Sequence, residues 1–179
     1  MLKRYEKFLK YVLEPKLEKY FEEQCEFVKC KEGCSSCCEV GEYPFSRLEL
    51  EYIMSGFVNL PFEIKHIIKE EIKHLKQEQP KMYKCPFLIN KKCCVYQYRG
   101  IVCRIHGLAW YDELENRIRL PYCVNKGLNY ASVFNRETGE VFLDAPITER
   151  LRIDSILTSL EAEPYNLVCG EIRPLLKWF

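Results

Sequence analysis

The sequence lacks a marked excess of either charge. Its 179 residues include 27 Lys and Arg against 26 Asp and Glu, which leaves a formal net charge of +1. Such a balance gives no broad electrostatic attraction to nucleic acid or to an anionic membrane. Lys91, Lys92, Arg99 and Arg104 are locally basic, but a phosphate footprint needs a wider patch. Nucleic acid is therefore not an expected partner.

Long apolar runs are missing as well. Residues 1–7 break into charge every few positions, so we expect no signal peptide, and no stretch elsewhere approaches transmembrane length. The sequence therefore predicts a soluble, cytoplasmic protein without a membrane partner. No repeat, linker or low-complexity segment divides residues 1–179, and this length suits a single domain with a sizeable core.

Familiar catalytic signatures are absent from the sequence. It shows no glycine-rich cofactor loop, no Ser-His-Asp arrangement and no paired-carboxylate signature. The sequence therefore predicts no particular enzyme activity, and whether the protein is an enzyme stays open.

Cysteine is abundant, with eleven in the chain. A C-x3-C-x2-C-C cluster runs from Cys30 to Cys38, and further cysteines follow at 85, 93, 94, 103 and 123. In a reducing compartment this density indicates metal ligation more than disulfides, and an odd count leaves at least one thiol unpaired. Thiolates separated by two or three residues can converge on one soft ion or on an iron-sulfur cluster. Disulfides are the alternative, favoured if the source is a hyperthermophile.

Apolar periodicity predicts helices on both sides of the cysteine-rich region. Residues 1–24 carry apolar side chains at three- and four-residue steps, and Pro15 either kinks this helix or lies in the first turn of a second one. Residues 146–162 repeat the pattern and predict another packing helix. Both segments are expected to serve as scaffold.

Two more helices are predicted between the first cysteines and the later ones. Ser46 and Glu49 form a capping box that opens a short helix, and Gly56 is expected to close it. Pro61 starts a longer helix that runs until Pro80. Its apolar side is predicted to comprise Phe62, Ile64, Ile67, Ile68, Ile72 and Leu75.

The cysteine-rich stretch itself predicts irregular structure. Glycine and serine inside the first cluster favour a tight loop over a helix. Residues 85–96 predict a small hairpin around an Asn-Lys-Lys turn, and residues 108–122 predict a β-hairpin. The fold class is therefore α+β: a mostly helical single domain around an irregular cysteine-rich metal-binding centre, residues 25–130, with a small β-hairpin.

These motifs together resemble the CxxCxxCC family, also called YkgJ-like, a zinc- or iron-chelating domain. The resemblance covers residues 25–130 and is carried by the first cluster, C-P-F-L at Cys85 to Leu88, C-x-Y at Cys94 to Tyr96, Y-x2-R at Tyr96 to Arg99, C-R at Cys103 and Arg104, and Cys123. Gly100 stands where the family usually has proline. The resemblance implies a soluble metal-binding protein whose biochemical role is mostly unassigned.

The resemblance also implies the ligands. The cysteines that match the family pattern are Cys30, Cys34, Cys37, Cys38, Cys85, Cys94, Cys103 and Cys123. They suffice for two tetrahedral zinc sites or for a cluster, such as 4Fe-4S, with spare thiols. Cys25 and Cys169 are expected to be buried small hydrophobes, and Cys93 is ambiguous beside Cys94. His106 is a ligand, a packing residue beneath the hairpin or a hydrogen-bond partner of a thiolate.

Three function classes follow from these observations. The first is a protein that binds zinc or iron through clustered cysteines, with iron carrying redox or assembly chemistry. The second is a structural zinc domain that serves protein interaction. The third is a protein-modifying enzyme, because flagellin lysine methylases are similar in their cysteine motif. The sequence does not identify the metal, its nuclearity, a substrate, a protein partner or the oligomeric state.

Overall fold

A computed structural model describes residues 1–31, 33–41, 43–142, 147–148 and 151–179. The fold is α+β. Its α-helices are α1 (Leu2–Phe8), α2 (Glu14–Glu23), α3 (Ser36–Glu39), α4 (Arg47–Phe57), α5 (Phe62–Glu78), α6 (Ile101–Ile105) and α7 (Ile153–Leu157). Its strands are β1 (Pro44–Ser46), β2 (Leu88–Ile89), β3 (Lys92–Cys93), β4 (Trp110–Asp112), β5 (Arg117–Arg119) and β6 (Ile172–Pro174). Among the described residues, none of the helices has the length and apolar character needed to cross a bilayer.

The first helices form one continuous rod. A π-helical segment, Leu9–Leu13, joins α1 to α2, and Pro15 lies in the first turn of α2. The helix does not break at this point, since the Glu14 N–H next to Pro15 donates to the Leu9 carbonyl, and Pro15, which has no N–H, follows directly after the π-helical segment. The second of the two predicted roles for Pro15 is thus confirmed. The buried Tyr5 ring packs edge-on against Tyr52 of α4, with ring centroids 5.3 Å apart.

The capping box of α4 is confirmed. The Ser46 hydroxyl accepts from the Glu49 backbone N–H at 3.2 Å, and the Ser46 N–H donates to the Glu49 carboxylate at 2.8 Å. The predicted end at Gly56 is wrong, since α4 continues to Phe57. Gly56 is needed inside the helix because a Cβ there would lie 2.3 Å from Tyr98 Cδ2. Its role is close packing rather than helix termination.

Helix α5 runs through the predicted segment and buries Ile68, Ile72 and Leu75. Phe62 and Ile67, predicted on the same face, are instead 75% and 49% exposed. Other parts of the chain cover α5 toward its C-terminal half. The C-terminal 3-10 helix, Leu175–Trp178, packs there, and Lys76 donates to the Phe179 carbonyl. The first turns of α5 therefore keep apolar side chains in solvent.

The strands form short antiparallel pairs. Both predicted hairpins are confirmed: β2 pairs with β3 across a turn in which Asn90 and Lys91 have positive φ, and β4 pairs with β5. Left-handed conformation at both central residues matches the twist of a tight hairpin. The pairing of β1 with β6 was not predicted and ties the start of α4 to the C-terminal segment.

The predicted C-terminal packing helix is shorter than expected. Within residues 146–162, α7 spans Ile153–Leu157, while Thr148 forms a parallel bridge with Trp110. Residues 146, 149 and 150 lie outside the described part of the chain. Ile153 and Leu157 are buried in the same apolar cluster as Tyr5 and Phe8, so the packing role holds for this short helix.

Helix α6 is fixed by close contacts at its start. The buried Glu49 carboxylate accepts from the Ile101 backbone N–H at 2.6 Å. A Cβ at Gly100 would lie 2.7 Å from Phe45 Cδ1 and 2.8 Å from Glu49 Oε1. Glycine therefore occupies this position because the space belongs to neighbouring side chains. Cys103 lies on α6, and these contacts therefore fix the start of the helix that carries it.

Candidate metal centre

Hydrogen bonds join two segments that are distant in the sequence, one with Cys37 and Cys38 and the other with Cys85. Cys37 and Cys38 lie on α3. The prediction of a loop without a helix is therefore wrong for the four residues of α3, Ser36–Glu39. The Cys85 backbone N–H donates to the Cys38 carbonyl at 2.8 Å, and the Tyr43 hydroxyl donates to the Cys37 carbonyl at 2.8 Å. These bonds hold the segment before β2 against α3.

Five thiols interact in this region, and we call them the central thiol group: Cys37, Cys38, Cys85, Cys93 and Cys103. Burial raises the pKa of Cys103 well above its ordinary value, and the charges of Cys85, Cys93 and Cys37 raise it further. Burial likewise raises the pKa of Cys85 to about 12, with Cys93 and Cys37 among the contributing charges. Thiolates in this group therefore repel one another.

Neighbouring Cys37 and Cys38 share a hydrogen bond, with their sulfur atoms 3.8 Å apart. This bond lowers the pKa of Cys37 to about 7, outweighing burial, and it raises the pKa of Cys38. The physical reason is that one sulfur of the pair keeps its proton and donates it to the other as a thiolate. The Cys37–Cys38 pair consequently loses its first proton more readily than the other buried thiols of the central group.

A second set, the peripheral thiol group, comprises Cys30, Cys34 and Cys123. Burial raises the pKa of Cys30, a hydrogen bond from Asn129 opposes the rise, and the charges of Cys34 and Cys37 add to it. Burial also raises the pKa of Cys123, with contributions from Cys30, Cys34 and Cys37. Cys37 therefore interacts with both groups, which lie side by side.

A buried polar network positions the segments that carry the peripheral thiol group. The Tyr130 N–H donates to the Phe27 carbonyl at 2.9 Å, and the Phe27 and Tyr130 rings stack with centroids 6.0 Å apart. The Ala109 N–H donates to the Tyr130 hydroxyl at 2.8 Å and to Gln24 Oε1 at 3.1 Å. Residues 24–30, 107–109 and 129–130 are thereby tied together.

The thiols do not form a ready coordination sphere. Over the residues that the structure describes, no three His, Cys, Asp or Glu side chains are grouped so as to hold a metal ion. Their donor chemistry nevertheless suits zinc or iron, since clustered thiolates are the ligands of structural zinc and of iron-sulfur clusters. Coordination by these cysteines therefore requires side-chain rotation within the two groups.

The adjacent cysteines Cys93, the last residue of β3, and Cys94 differ in position. The charge of Cys93 acts on both Cys85 and Cys103. Burial raises the pKa of Cys94, and a backbone hydrogen bond with Ile89 opposes the rise. The charge of Cys94 also acts on Cys85 and Cys93, while that of Cys93 acts in addition on the buried Cys103, so we place Cys93 within the central thiol group and Cys94 beside it. Of the predicted ligands, seven belong to the two groups and Cys94 borders one of them.

The remaining cysteines lie apart from these groups. Cys25 is exposed, because α2 ends at Glu23, and its expected burial is wrong. Cys169 is partly buried and packs against the apolar cluster around α1 and α4, close to the packing role predicted for it.

The two arginines near the cysteines have different roles. Arg104 is buried and donates to the Arg99 and Gln97 carbonyls at 3.0 Å each, and it pairs with Glu14. Its role is therefore to fix the chain before α6 rather than to reach sulfur. The Arg99 guanidinium lies 3.9 Å from the centre of the Tyr96 ring. Its charge opposes the rise that burial causes in the pKa of Cys93 and adds to the lowering of the pKa of Cys37 by the hydrogen bond with Cys38.

His106 lies in a cleft of about 560 Å³ beside the β4–β5 hairpin, where Trp110 and Leu151 also line the wall. Burial lowers the pKa of His106, which favours the neutral ring. Among the described residues its buried Nε2 has no hydrogen-bond partner. This position beneath the hairpin favours the packing alternative.

Comparison of the chain with models of protein families, with curated proteins and with solved structures finds no match. The resemblance to the CxxCxxCC family therefore stays a prediction from the motifs alone.

Proposed function

We propose that this chain is a metal-binding protein that coordinates zinc or iron through its clustered cysteines. The observation that carries the proposal is that thiols from four separate stretches of sequence influence one another electrostatically. These cysteines come from residues 30–38, 85–93, 103 and 123. Thiols that are spread over the sequence and lie within electrostatic reach of one another are compatible with a metal site, although no three donor side chains of the described residues are grouped to hold an ion.

Charge supports the same proposal. Several thiolates held close together repel one another, and a bound cation removes that repulsion. Among the described residues, Arg99 is a cation whose charge acts on both Cys37 and Cys93. Its single guanidinium offsets one negative charge. Burial and mutual repulsion raise the pKa values of four of the five thiols in the central group, so these thiols stay protonated by themselves, and a bound metal ion or cluster would supply the positive charge that favours their thiolate forms.

Two arrangements fit the positions of the thiols. The central and peripheral groups could each bind one ion, with Cys37 between them, or the central group could hold an iron-sulfur cluster while the peripheral thiols bind separately. The proposal places the protein in the cytoplasm, where thiols stay reduced. An enzymatic role related to that of flagellin lysine methylases has no separate observation in its favour.

Metal and sulfide analysis of protein purified under anaerobic conditions tests the proposal. We expect at least one equivalent of zinc or iron per chain. Iron accompanied by stoichiometric acid-labile sulfide indicates a cluster, and colourless zinc without sulfide indicates tetrahedral sites. Protein that is folded, fully reduced and free of both metals, even after reconstitution with each, would contradict the proposal.

A further inference from the structure

Asn129 is the residue around which the peripheral thiol group is built. It is 1% exposed, and its side-chain amide uses both ends. Its Oδ1 accepts from the Lys29 backbone N–H at 2.8 Å, and its Nδ2 donates to the Gly107 carbonyl at 2.9 Å. The same Nδ2 donates to Cys30 Sγ at 3.2 Å. One side chain therefore joins the segments before Cys30 and after α6.

The backbone of Asn129 also acts on Cys123. It opposes the rise that burial causes in the pKa of the Cys123 thiol, and the neighbouring Leu128 N–H donates to the Cys123 carbonyl at 3.2 Å. Amide N–H groups that point at sulfur stabilise a thiolate and orient its lone pairs, as the partners of metal ligands commonly do. The side-chain amide of Asn129 makes such a contact with Cys30.

Gly107 provides the space that this arrangement needs. Its φ is +115°, a conformation that residues with a side chain rarely adopt. A Cβ at this position would lie 2.9 Å from Cys30 Sγ and 3.3 Å from Asn129 Nδ2. The sulfur of Cys30 therefore occupies the volume that a side chain at residue 107 would fill. Cys30 is nonetheless exposed as a residue.

We propose that Asn129 is the positioning residue that holds the Cys30 sulfur atom as a ligand for one soft metal ion, with Gly107 leaving room for that sulfur. This inference rests on the proposed metal-binding function and assigns to it a residue that is not itself a ligand. A soft divalent ion bound by thiolates is the chemistry that such a site selects.

Cadmium alone, added to the reduced and metal-free chain, is the probe for this site. NMR signals of Cys30 and Cys123 report binding at the peripheral thiol group separately from the central one. We expect Asn129→Leu to weaken cadmium affinity there by about 10- to 100-fold, the usual effect of removing a hydrogen-bond partner of a ligand. Asn125→Leu is the matched control, because Asn125 is exposed and its amide donates to the Tyr122 carbonyl.

A second measurement needs no metal and no substitution of Asn129. The side-chain amide signals of Asn129 should shift in the metal-free Cys30→Ala variant, whereas Cys25→Ala should leave them in place. Unshifted signals in Cys30→Ala overturn the proposed contact even if Asn129→Leu fails to fold.

The outcomes separate this inference from the function on which it rests. Loss of affinity in Asn129→Leu beyond that in Asn125→Leu supports it. A purely structural role would lower the melting temperature of Asn129→Leu and leave the affinity of the folded chain equal to that of the native chain, which overturns the positioning role alone. Failure of the native chain to bind cadmium at any thiol contradicts the metal-binding function itself.

Discussion

Removal of metal with a chelator is expected to lower the melting temperature of the protein by about 10 °C or more. A ligand present at about 1,000 times its dissociation constant stabilises the folded state by ~4 kcal/mol, and each kcal/mol shifts the melting of a chain of this size by about 2–4 °C. Segments that meet at the thiol groups should become accessible when the metal no longer joins them. Limited proteolysis is therefore expected to increase around residues 30–40 and 85–105.

The matched control for this experiment is the Cys34→Ser, Cys103→Ser double variant. It lacks one thiol from each group, so a chelator should change its melting temperature little. Calorimetry before and after chelation, with metal content measured on the same samples, gives the comparison. An unchanged melting temperature in native protein that has demonstrably lost its metal would show that metal does not stabilise the fold.

The second large expected effect is the loss of bound metal when particular cysteines are replaced. Replacement of Cys34, Cys37, Cys85 or Cys103 by serine removes a soft thiolate and is expected to lower metal content and solubility. The combined Cys34→Ser, Cys103→Ser variant should lose most of its metal, because it weakens both groups. Cys25→Ser and Cys169→Ser are the controls and should keep full metal content, since one residue is exposed and the other packs against the core.

Two comparisons refine this series. Cys93→Ser is expected to lower metal content more than Cys94→Ser, because the charge of Cys93 acts on Cys85 and Cys103. His106→Ala should leave the metal stoichiometry unchanged, because His106 lines the cleft beside the β4–β5 hairpin. Element analysis of the purified variants is the measurement. Full metal retention when Cys34 and Cys103 are both replaced would refute the site.

Local patterns in the sequence predicted the positions of the longer helices. The capping box at Ser46 and Glu49 and the apolar periodicity of α1, α2 and α5 depend on residues a few positions apart, where sequence and geometry are directly linked. Gly56 was misread because its environment is Tyr98, more than forty residues away. A glycine needed for close packing looks the same in the sequence as one that ends a helix.

Long-range contacts set the limit for the rest of the fold. The pairing of β1 with β6 joins strands of three residues each, which are too short to show an alternating pattern. The exposure of Phe62 and Ile67 depends on where the C-terminal 3-10 helix covers α5. Neither feature has a signal within its own stretch of sequence.

The candidate site was predicted through its cysteines but not through their support. Clustered thiols stand out in a sequence, and seven of the eight predicted ligands lie in the two groups. Asn129 and Gly107 carry no such signal, since the contact of Asn129 with Cys30 spans 99 positions. The choice between the adjacent Cys93 and Cys94 likewise has no signal in the sequence, since Cys93 ends β3 and Cys94 follows it.

X-ray absorption at the metal edge of anaerobically purified protein tests the central claim most directly, because it reports the atoms bound to the metal. If cysteines are the ligands, sulfur scatterers should dominate at about 2.3 Å, the distance typical of zinc bound to thiolate. A shell made of nitrogen and oxygen atoms alone, in protein that is reduced and carries its full metal content, would contradict the account.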